Sequence, residues 1–590
     1  MSFTNTFLVE IDGTPLPADL APLLIAALVD DSQQYPDLFE LRFRDPAHLV
    51  LPKSGAKVGS TVKISVSTSE SKAPVLLMTG EITALQSEFD SGGTFTVLRG
   101  YDAAHRLFRG RRTEAYAQMT ASDIALKVAQ RAGLRTGEVT STTTVYEHVP
   151  QAGASDWDLL QRLAADVGFE ITVREGKFGF GPPTAASGAP APGGAENKNP
   201  LVLRLGADLL RFRAVVTSSE QVKEVEVRGW DTATKQALTA TKPATTTSVV
   251  LPDTDPARLA QTFGDARYVS TDVPHRTQAE VDVAAAALAE AVAGVFAEFE
   301  GVARGNPEVR AGSAVTMDGL GSPFDGKYTV TTSRHRLDPT TGYTTSFSVT
   351  GVRDRTMLGL ASGGGAATTA PPGVVVAVVD DVNDPEQTGR VRLRFPWLDA
   401  TYVSGWARTV QAGAGKDRGA LVLPEVGDEV LVVFEQGDFR RPYVLGGLYN
   451  GIDQPSSQGI PVVDGGKGTV NRRSVVSRRG HRIDLLDEDG RTEGVTVASG
   501  DGKVSLKLDA TGTKVTVHSD GTVLIEGTQG ITIDSAAAKL ELKGGQISLT
   551  ATQGVTVDGG GGPVKVTSGS QLDLKGGAVA SLSAALVKIN

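Results

Sequence analysis

From Gly494 to Lys588, apolar and polar residues alternate in short runs that return about every eight positions. The runs are VTV at Val495–Val497, VSLKL at Val504–Leu508, VTVHS at Val515–Ser519, VLIEG at Val523–Gly527 and ITIDS at Ile531–Ser535. LELKG at Leu540–Gly544, ISLTA at Ile547–Ala551, VTVDG at Val555–Gly559, VKVTS at Val564–Ser568 and LDLKG at Leu572–Gly576 continue the series. Val515, Val523 and Ile531 stand eight apart, as do Ile547 and Val555, and Val564 and Leu572. A period of two gives each run one face to bury. The Gly or small polar residue that closes most runs lets the backbone turn. One octad has too little surface to be stable alone, so the runs must stack. Either one chain coils on itself, or several identical chains wind round a shared apolar axis. Both arrangements give a stiff rod, suited to mechanical work more than to chemistry.

Upstream, the pattern is mixed. Residues 1–183 alternate strand-like stretches (Phe39–Phe43, Val62–Ser67, Phe95–Leu98) with two helices. The first helix starts at the capping signal Thr120…Asp123 and is expected to stop near Gly133. Ser155 caps the second, whose stripe is Trp157, Leu160 and Leu163–Ala164 before Gly168; a hairpin turning at Glu175-Gly176 follows. Residues 184–200 are an Ala/Pro/Gly/Asn linker or loop, and 201–360 form a second mixed α/β unit. Its long helix is expected to run from the capping box Thr277…Glu280 to about Gly301, with Val281, Leu288, Val292, Val295, Phe296 and Phe299 on its apolar side. Strands are expected at Tyr328–Ser333 and Thr344–Val349. Residues 361–372 (ASGGGAATTAPP) are a further linker. Residues 373–450 predict five strands: Val374–Asp380, Gly389–Phe395, Val403–Thr409, Glu429–Phe434 and Tyr443–Leu448. That length and number suit an OB-type barrel. A neck, 451–480, leads to the octad rod, 481–590.

Composition narrows the function. At 590 residues, ~150 per domain allows several domains. A net charge of −10, from 58 basic and 68 acidic residues, argues against nucleic acid as the partner. With no Cys there is no disulfide or thiolate chemistry. MSFTNTFLVEIDG lacks a basic segment followed by an apolar run, so no signal peptide is expected. The longest apolar runs, such as Pro22–Val29, fall well short of the ~18–20 residues that span a bilayer.

Candidate chemistry is sparse. There is no phosphate-binding loop, dinucleotide fingerprint, nucleophile elbow or HExxH pair. The seven histidines (48, 105, 148, 275, 335, 481, 518) are isolated, and His518 is expected to face outward from its octad. Asp380, Asp381, Asp384 and Glu386 lack the spacing of a calcium loop and read as a polar hairpin loop. Arg472, Arg473, Arg478, Arg479 and Arg482 precede Asp484, Asp487, Glu488 and Asp489, which favours charge pairing over phosphate binding; Arg109, Arg111 and Arg112 carry the same ambiguity. No catalytic, cofactor or metal residue is assigned.

Three stretches carry a resemblance. They are Gly389-Arg-Val-Arg-Leu-Arg-Phe-Pro396-Trp397 with Trp406-Ala-Arg408, Pro424-Glu425-Val-Gly427-Asp428-Glu429 and Gly437-Asp438…Arg441-Pro442…Gly446…Tyr449-Asn450-Gly451 in the barrel; Gly326-Lys-Tyr-Thr-Val…His335…Tyr343-Thr-Thr-Ser-Phe347 in the second α/β unit; and the octads. Together they resemble the VgrG-type spike of contractile injection systems: type VI secretion, contractile phage tails and extracellular phage-tail-like particles. Phe395 and Trp397 are expected to bury ring area on the barrel or on an adjoining chain, a core place for both being the plainer reading. The resemblance implies a mainly β protein with some α: mixed α/β hub domains, an OB-like barrel and a C-terminal trimeric intertwined β-helix. It implies a non-enzymatic homotrimer made in the bacterial cytoplasm as part of a particle there or released. It also implies contacts with an inner tube or hub-adaptor protein, baseplate proteins, effector cargo, transiently a target membrane, and a PAAR-type tip protein. Ala584, Ala585, Leu586, Val587, Lys588, Ile589 and Asn590 are the candidate tip-binding end, since an uncapped rod exposes backbone donors and acceptors. The competing readings are a tail-associated cell-wall hydrolase and a glycan-binding tailspike adhesin; the absence of Trp, Tyr and Phe from 490 to 590 counts against the adhesin.

Overall fold

The computed structural model describes residues 5–68, 73–192, 199–351 and 373–589, so the expected linker 361–372 and Asn590 lie outside the described residues. The chain divides into two compact units, Met1–Pro455 and Ser456–Asn590.

The first unit is organised by an antiparallel sheet of eleven strands. One half is built from Thr6–Ile11, Thr14–Pro15, Leu24–Ser32, Leu38–Arg44, Thr61–Ser67, Val75–Asp90 and Gly93–Tyr101. The other half is Leu209–Val216, Ala297–Arg304, Thr332–Asp338 and Gly342–Val349. The halves join where Thr332–Asp338 pairs with Leu24–Ser32, placing His335 opposite Val29. That buried histidine bonds through Nδ1 to the Tyr343 hydroxyl at 2.9 Å, and Tyr343 in turn meets Phe7 edge-on. The alternation that predicts these strands also builds the core: Phe39, Leu41 and Phe43 are all fully buried.

Both helices expected in the first 183 residues form with complete capping boxes. Ala121–Arg131 starts at Thr120, which exchanges hydrogen bonds with Asp123. Asp156–Val167 starts at Ser155, paired likewise with Asp158, and ends at Gly168 with φ +68°. Glu175 and Gly176 both take positive φ at the hairpin turn, as a tight two-residue connection requires. The third long helix, Gln278–Ala293, starts at Thr277 as expected and lays Val281, Ala285, Ala289 and Val292 on the strand Glu224–Asp231.

Its end departs from the sequence reading. The helix stops at Ala293, a short 3-10 turn spans Gly294–Phe296, and Ala297–Arg304 is a strand with alternating burial. Phe296 and Phe299 are thus core residues of a turn and a strand, not of a helix face. The run Tyr328–Ser333 likewise splits into Gly326–Thr329 and Thr332–Asp338, which join different sheets.

Residues 374–447 form a five-stranded sheet in the order Arg392–Arg394, Val374–Asp381, Glu429–Phe434, Pro442–Gly447, Arg408–Thr409. Bridges Val391–Ala407 and Arg394–Val403 join its two outer strands and close it. Two strands are much shorter than expected, because only these bridges connect the segments 389–395 and 403–409. Phe395 is in the core, but Trp397 is half exposed and donates its indole N–H to Val376 O (2.8 Å), so it is not the core residue expected.

Candidate assembly interface

In the second unit, Arg472–Val476, Arg482–Glu488, Thr492–Ala498, Val504–Asp509 and Lys514–Ser519 form an antiparallel meander. Its register aligns the apolar residues in rows. Val475, Ile483, Val497, Leu506 and Val517 are successive cross-strand partners, and so are Leu485, Val495, Leu508 and Val515. Successive residues point to opposite faces, so these rows, with Val504, occupy one side of the sheet. Val495 is partly buried; the other residues of these rows and Val504 are 39–67% exposed. The opposite side carries Ser474, Asp484, Thr496, Lys507 and Thr516, where Asp484 accepts from the Ser474 hydroxyl (2.6 Å) and Arg482 (2.9 Å). The apolar rows form the open side of the sheet; the opposite side holds, beside these polar residues, Val476 and the buried Leu486 and Ala498.

Beyond Ser519, among the described residues, no strand ladder follows. Backbone hydrogen bonds here are turns, such as Ala538 N–H to Ser535 O (2.8 Å) and Gly562 N–H to Gly559 O (2.9 Å). The octad pairs Val523/Ile525, Ile531/Ile533, Leu540/Leu542, Ile547/Leu549, Val555/Val557, Val564/Val566 and Leu572/Leu574 are 51–76% exposed. Corners between octads need small residues: a Cβ at Gly527 would lie 2.6 Å from Gly530 O, and one at Gly559 would lie 2.7 Å from Gly562 O. Ala584–Ile589 end this stretch exposed and without partners of regular structure. Isolated extended chain with alternating Val, Leu and Ile has neither a buried face nor satisfied ladder groups; both needs are met by adjacent strands.

The remaining sequence candidates resolve into local structure. Asp384 accepts from Thr388 N–H (2.8 Å), the Thr388 hydroxyl (2.9 Å) and the Arg390 guanidinium (2.7 Å). Burial opposes its charge, yet these bonds hold the carboxyl well below the usual range. Arg473 pairs with Asp487 (2.8 Å) at the open face of the meander, and Arg472 donates to Ser456 O (2.6 Å). Arg112 pairs with Asp156 (3.3 Å). His105 contacts Glu81, His481 accepts from Gly500 N–H and exposed His518 sits by Asp520. Burial lowers His148 to about 4 and His335 to about 3. Among the described residues no group of three or more His, Asp or Glu side chains is placed to hold a metal ion, and no helix is long and apolar enough to cross a membrane.

Sequence reasoning missed a charged joint inside the first unit. The hairpin between Glu429–Phe434 and Pro442–Gly447 places Asp438, Arg440 and Arg441 against the helices Asp156–Val167 and Gln278–Ala293. The Arg-Arg-Pro motif was the only local trace of it.

The family model of the type VI secretion system/phage-baseplate injector OB domain matches residues 375–449, and that of the Alg8 N-terminal domain matches residues 57–338. The chain is 37% identical over 93 residues to the type VI secretion system spike protein VgrG1c of Pseudomonas aeruginosa, covering 15% of this chain. It is 41% identical over 69 residues to VgrG1a of the same organism, covering 11% of this chain. The chain spans 13% and 11% of those relatives' own lengths. Among solved structures, the E. coli c3393 protein, a type VI secretion component with structural similarity to T4 phage tail proteins gp27 and gp5, aligns with TM-score 0.45 at 16% identity. That alignment covers 76% of this chain and 100% of the other. The Francisella PdpA–VgrG complex aligns with TM-score 0.47 at 8% identity, over 88% and 80% of the respective chains.

Proposed function

We propose that this chain, whose barrel belongs to the injector OB-domain family of type VI secretion systems and phage baseplates, is the central spike and hub of a contractile injection system. Its role is mechanical and non-enzymatic. Residues 1–183 and 201–360 form the hub, 373–450 the barrel, 451–480 the neck and 481–590 the spike, with 184–200 and 361–372 as connections. Three copies wind residues 520–590 into one intertwined β-helix, and three meanders close their exposed apolar rows on a common axis. On contraction of a surrounding sheath, such a prism passes through a target envelope without buckling, because closed pairing leaves no free lateral edge.

The observation that supports this reading is the second unit itself. Its alternating residues are exposed, and beyond Ser519 the described residues form no strand ladder within one chain. The single-chain alternative, a chain coiled on itself, calls for those rows to be buried within one chain. The hub would meet an inner tube and baseplate proteins, and the small, apolar end Ala584–Asn590 would seat a PAAR-type tip protein.

The mass in solution tests the proposal. Light scattering on the whole protein and on Ser456–Asn590 is expected to give a trimer in both. A folded, monomeric Ser456–Asn590 would overturn the intertwined rod and with it the spike.

A further inference from the structure

Two groups of contacts between the barrel and the rest of its unit carry polar chemistry, beside the apolar packing of Ala115 on the barrel core. At the first, His148 Nε2 lies 3.2 Å from Val403 O and the His148 ring meets Tyr402 edge-on at 6.0 Å. Gly405 packs so closely there that a Cβ would sit 3.2 Å from His148 Cβ.

The second contact is ionic. Positive φ at Gln436 and Gly437 turns the 435–441 hairpin of the barrel toward the two helices. Arg440 binds Asp438 (2.8 Å) in its own hairpin and reaches Asp166 (3.4 Å) on the helix Asp156–Val167. Arg441 faces Glu280 (3.6 Å) in the first turn of the helix Gln278–Ala293, and its Nε approaches Pro274 O (3.5 Å). From the other side Arg276 donates to Glu435 (3.2 Å) and to the Tyr443 hydroxyl (3.4 Å), while Gln436 donates to Thr271 O (2.9 Å). Arg162, donating to Pro150 O (2.8 Å), stands behind Arg440. Three guanidinium groups, Arg276, Arg440 and Arg441, therefore meet four carboxylates, Asp166, Glu280, Glu435 and Asp438, with Arg162 behind them. The Arg440 and Arg441 side chains are each only 13% exposed. Burial opposes the Asp438 charge, yet facing Arg440 holds its carboxyl below the usual range.

A largely buried set of this kind has three physical consequences. Salt screens it far less than a surface pair. Planar guanidinium forks fix direction as well as distance, which an apolar contact does not. Removing one partner strands a charge in a dry site.

We propose that the 435–443 hairpin is an ionic clasp that fixes the barrel on the hub. This rests on the proposed spike role, in which a barrel that passes thrust to a rod needs a directional joint to the hub. The clasp lies within one chain and does not depend on the trimer.

The test uses the full chain with a protease site inserted between residues 361 and 372. After cleavage, the two fragments are expected to co-elute on size exclusion at both 0.15 M and 1 M NaCl. Separation of the wild-type fragments at either salt concentration would overturn the clasp. Arg440→Ala combined with Arg276→Ala is expected to release the barrel after cleavage while the uncut protein keeps its far-UV circular dichroism. Retained co-elution in that variant would assign the joint to the His148–Tyr402 contact and overturn the proposal. If that variant does not fold, Arg276→Gln with Glu435→Gln decides: release at 1 M NaCl supports the clasp, and co-elution as in the wild type overturns it.

Discussion

At Gly100 an added Cβ would sit 2.0 Å from Glu81 O and 2.6 Å from the buried Phe39 ring, in the middle of the eleven-stranded sheet. Backbone and core ring cannot both yield, so Gly100→Ala is expected to lower stability by about 1–3 kcal/mol. An unchanged denaturant midpoint would contradict this. His148 makes a pH prediction at the same scale. Burial lowers it to about 4 from about 6.5 when unfolded. Above pH 6.5 it is neutral in both states and contributes nothing. Below 6.5 the unfolded chain takes up the proton first, so stability falls until the folded value is passed near 4, by roughly 3 kcal/mol in all. His148→Gln is expected to remove that loss: its unfolding midpoint should rise relative to wild type as pH falls from 7 to 4. Equal pH profiles would show that His148 stays accessible to protons in the folded protein.

Among the elements, helix starts are governed by caps and the octads by facing. Thr120→Ala deletes the bond to Asp123 N–H and is expected to cost about 1 kcal/mol, read as a shift in the unfolding midpoint. The octads give a sharper contrast. Val555 and Val557 lie on the side that must be covered, and Thr556 lies between them on the other. Val555→Asp is expected to weaken or abolish association of Ser456–Asn590, while Thr556→Asp leaves its mass and melting temperature nearly unchanged. The reverse order would mean that the polar side is the buried one. The corner glycines belong to the same logic, since Gly527 and Gly559 sit where a side chain meets the next backbone carbonyl.

For the whole molecule, the decisive property is that much of the second unit has no partner within its own chain. In the proposed trimer, folding and association of that unit are one equilibrium, and its melting temperature depends on concentration. Tenfold dilution of Ser456–Asn590 is expected to lower the melting temperature measurably. A concentration-independent transition would mean that each chain folds alone. The clasp acts at this scale too, because it joins the barrel to helices far away in sequence and lets thrust pass between them.

What the sequence determined by itself is local. The caps at Thr120, Ser155 and Thr277, the turn at Glu175-Gly176 and the alternation of the octads each lie within a few residues of the atoms they engage, so a short window displays them. The need for neighbours in the octads was legible as well, because alternating apolar residues in so short a run cannot be buried alone. The end of the helix at Ala293 was not, since Phe296 and Phe299 continue an apolar pattern compatible with helix or strand until pairing with Leu209–Val216 and Gly342–Val349 chooses strand. Tertiary structure alone decided that Leu24–Ser32 pairs with Thr332–Asp338, that Trp397 stays half exposed, and that Arg440 finds Asp166. Those partners lie far apart along the chain, and an ion pair or a strand edge bears no mark of its distant complement until the backbone has brought the two together.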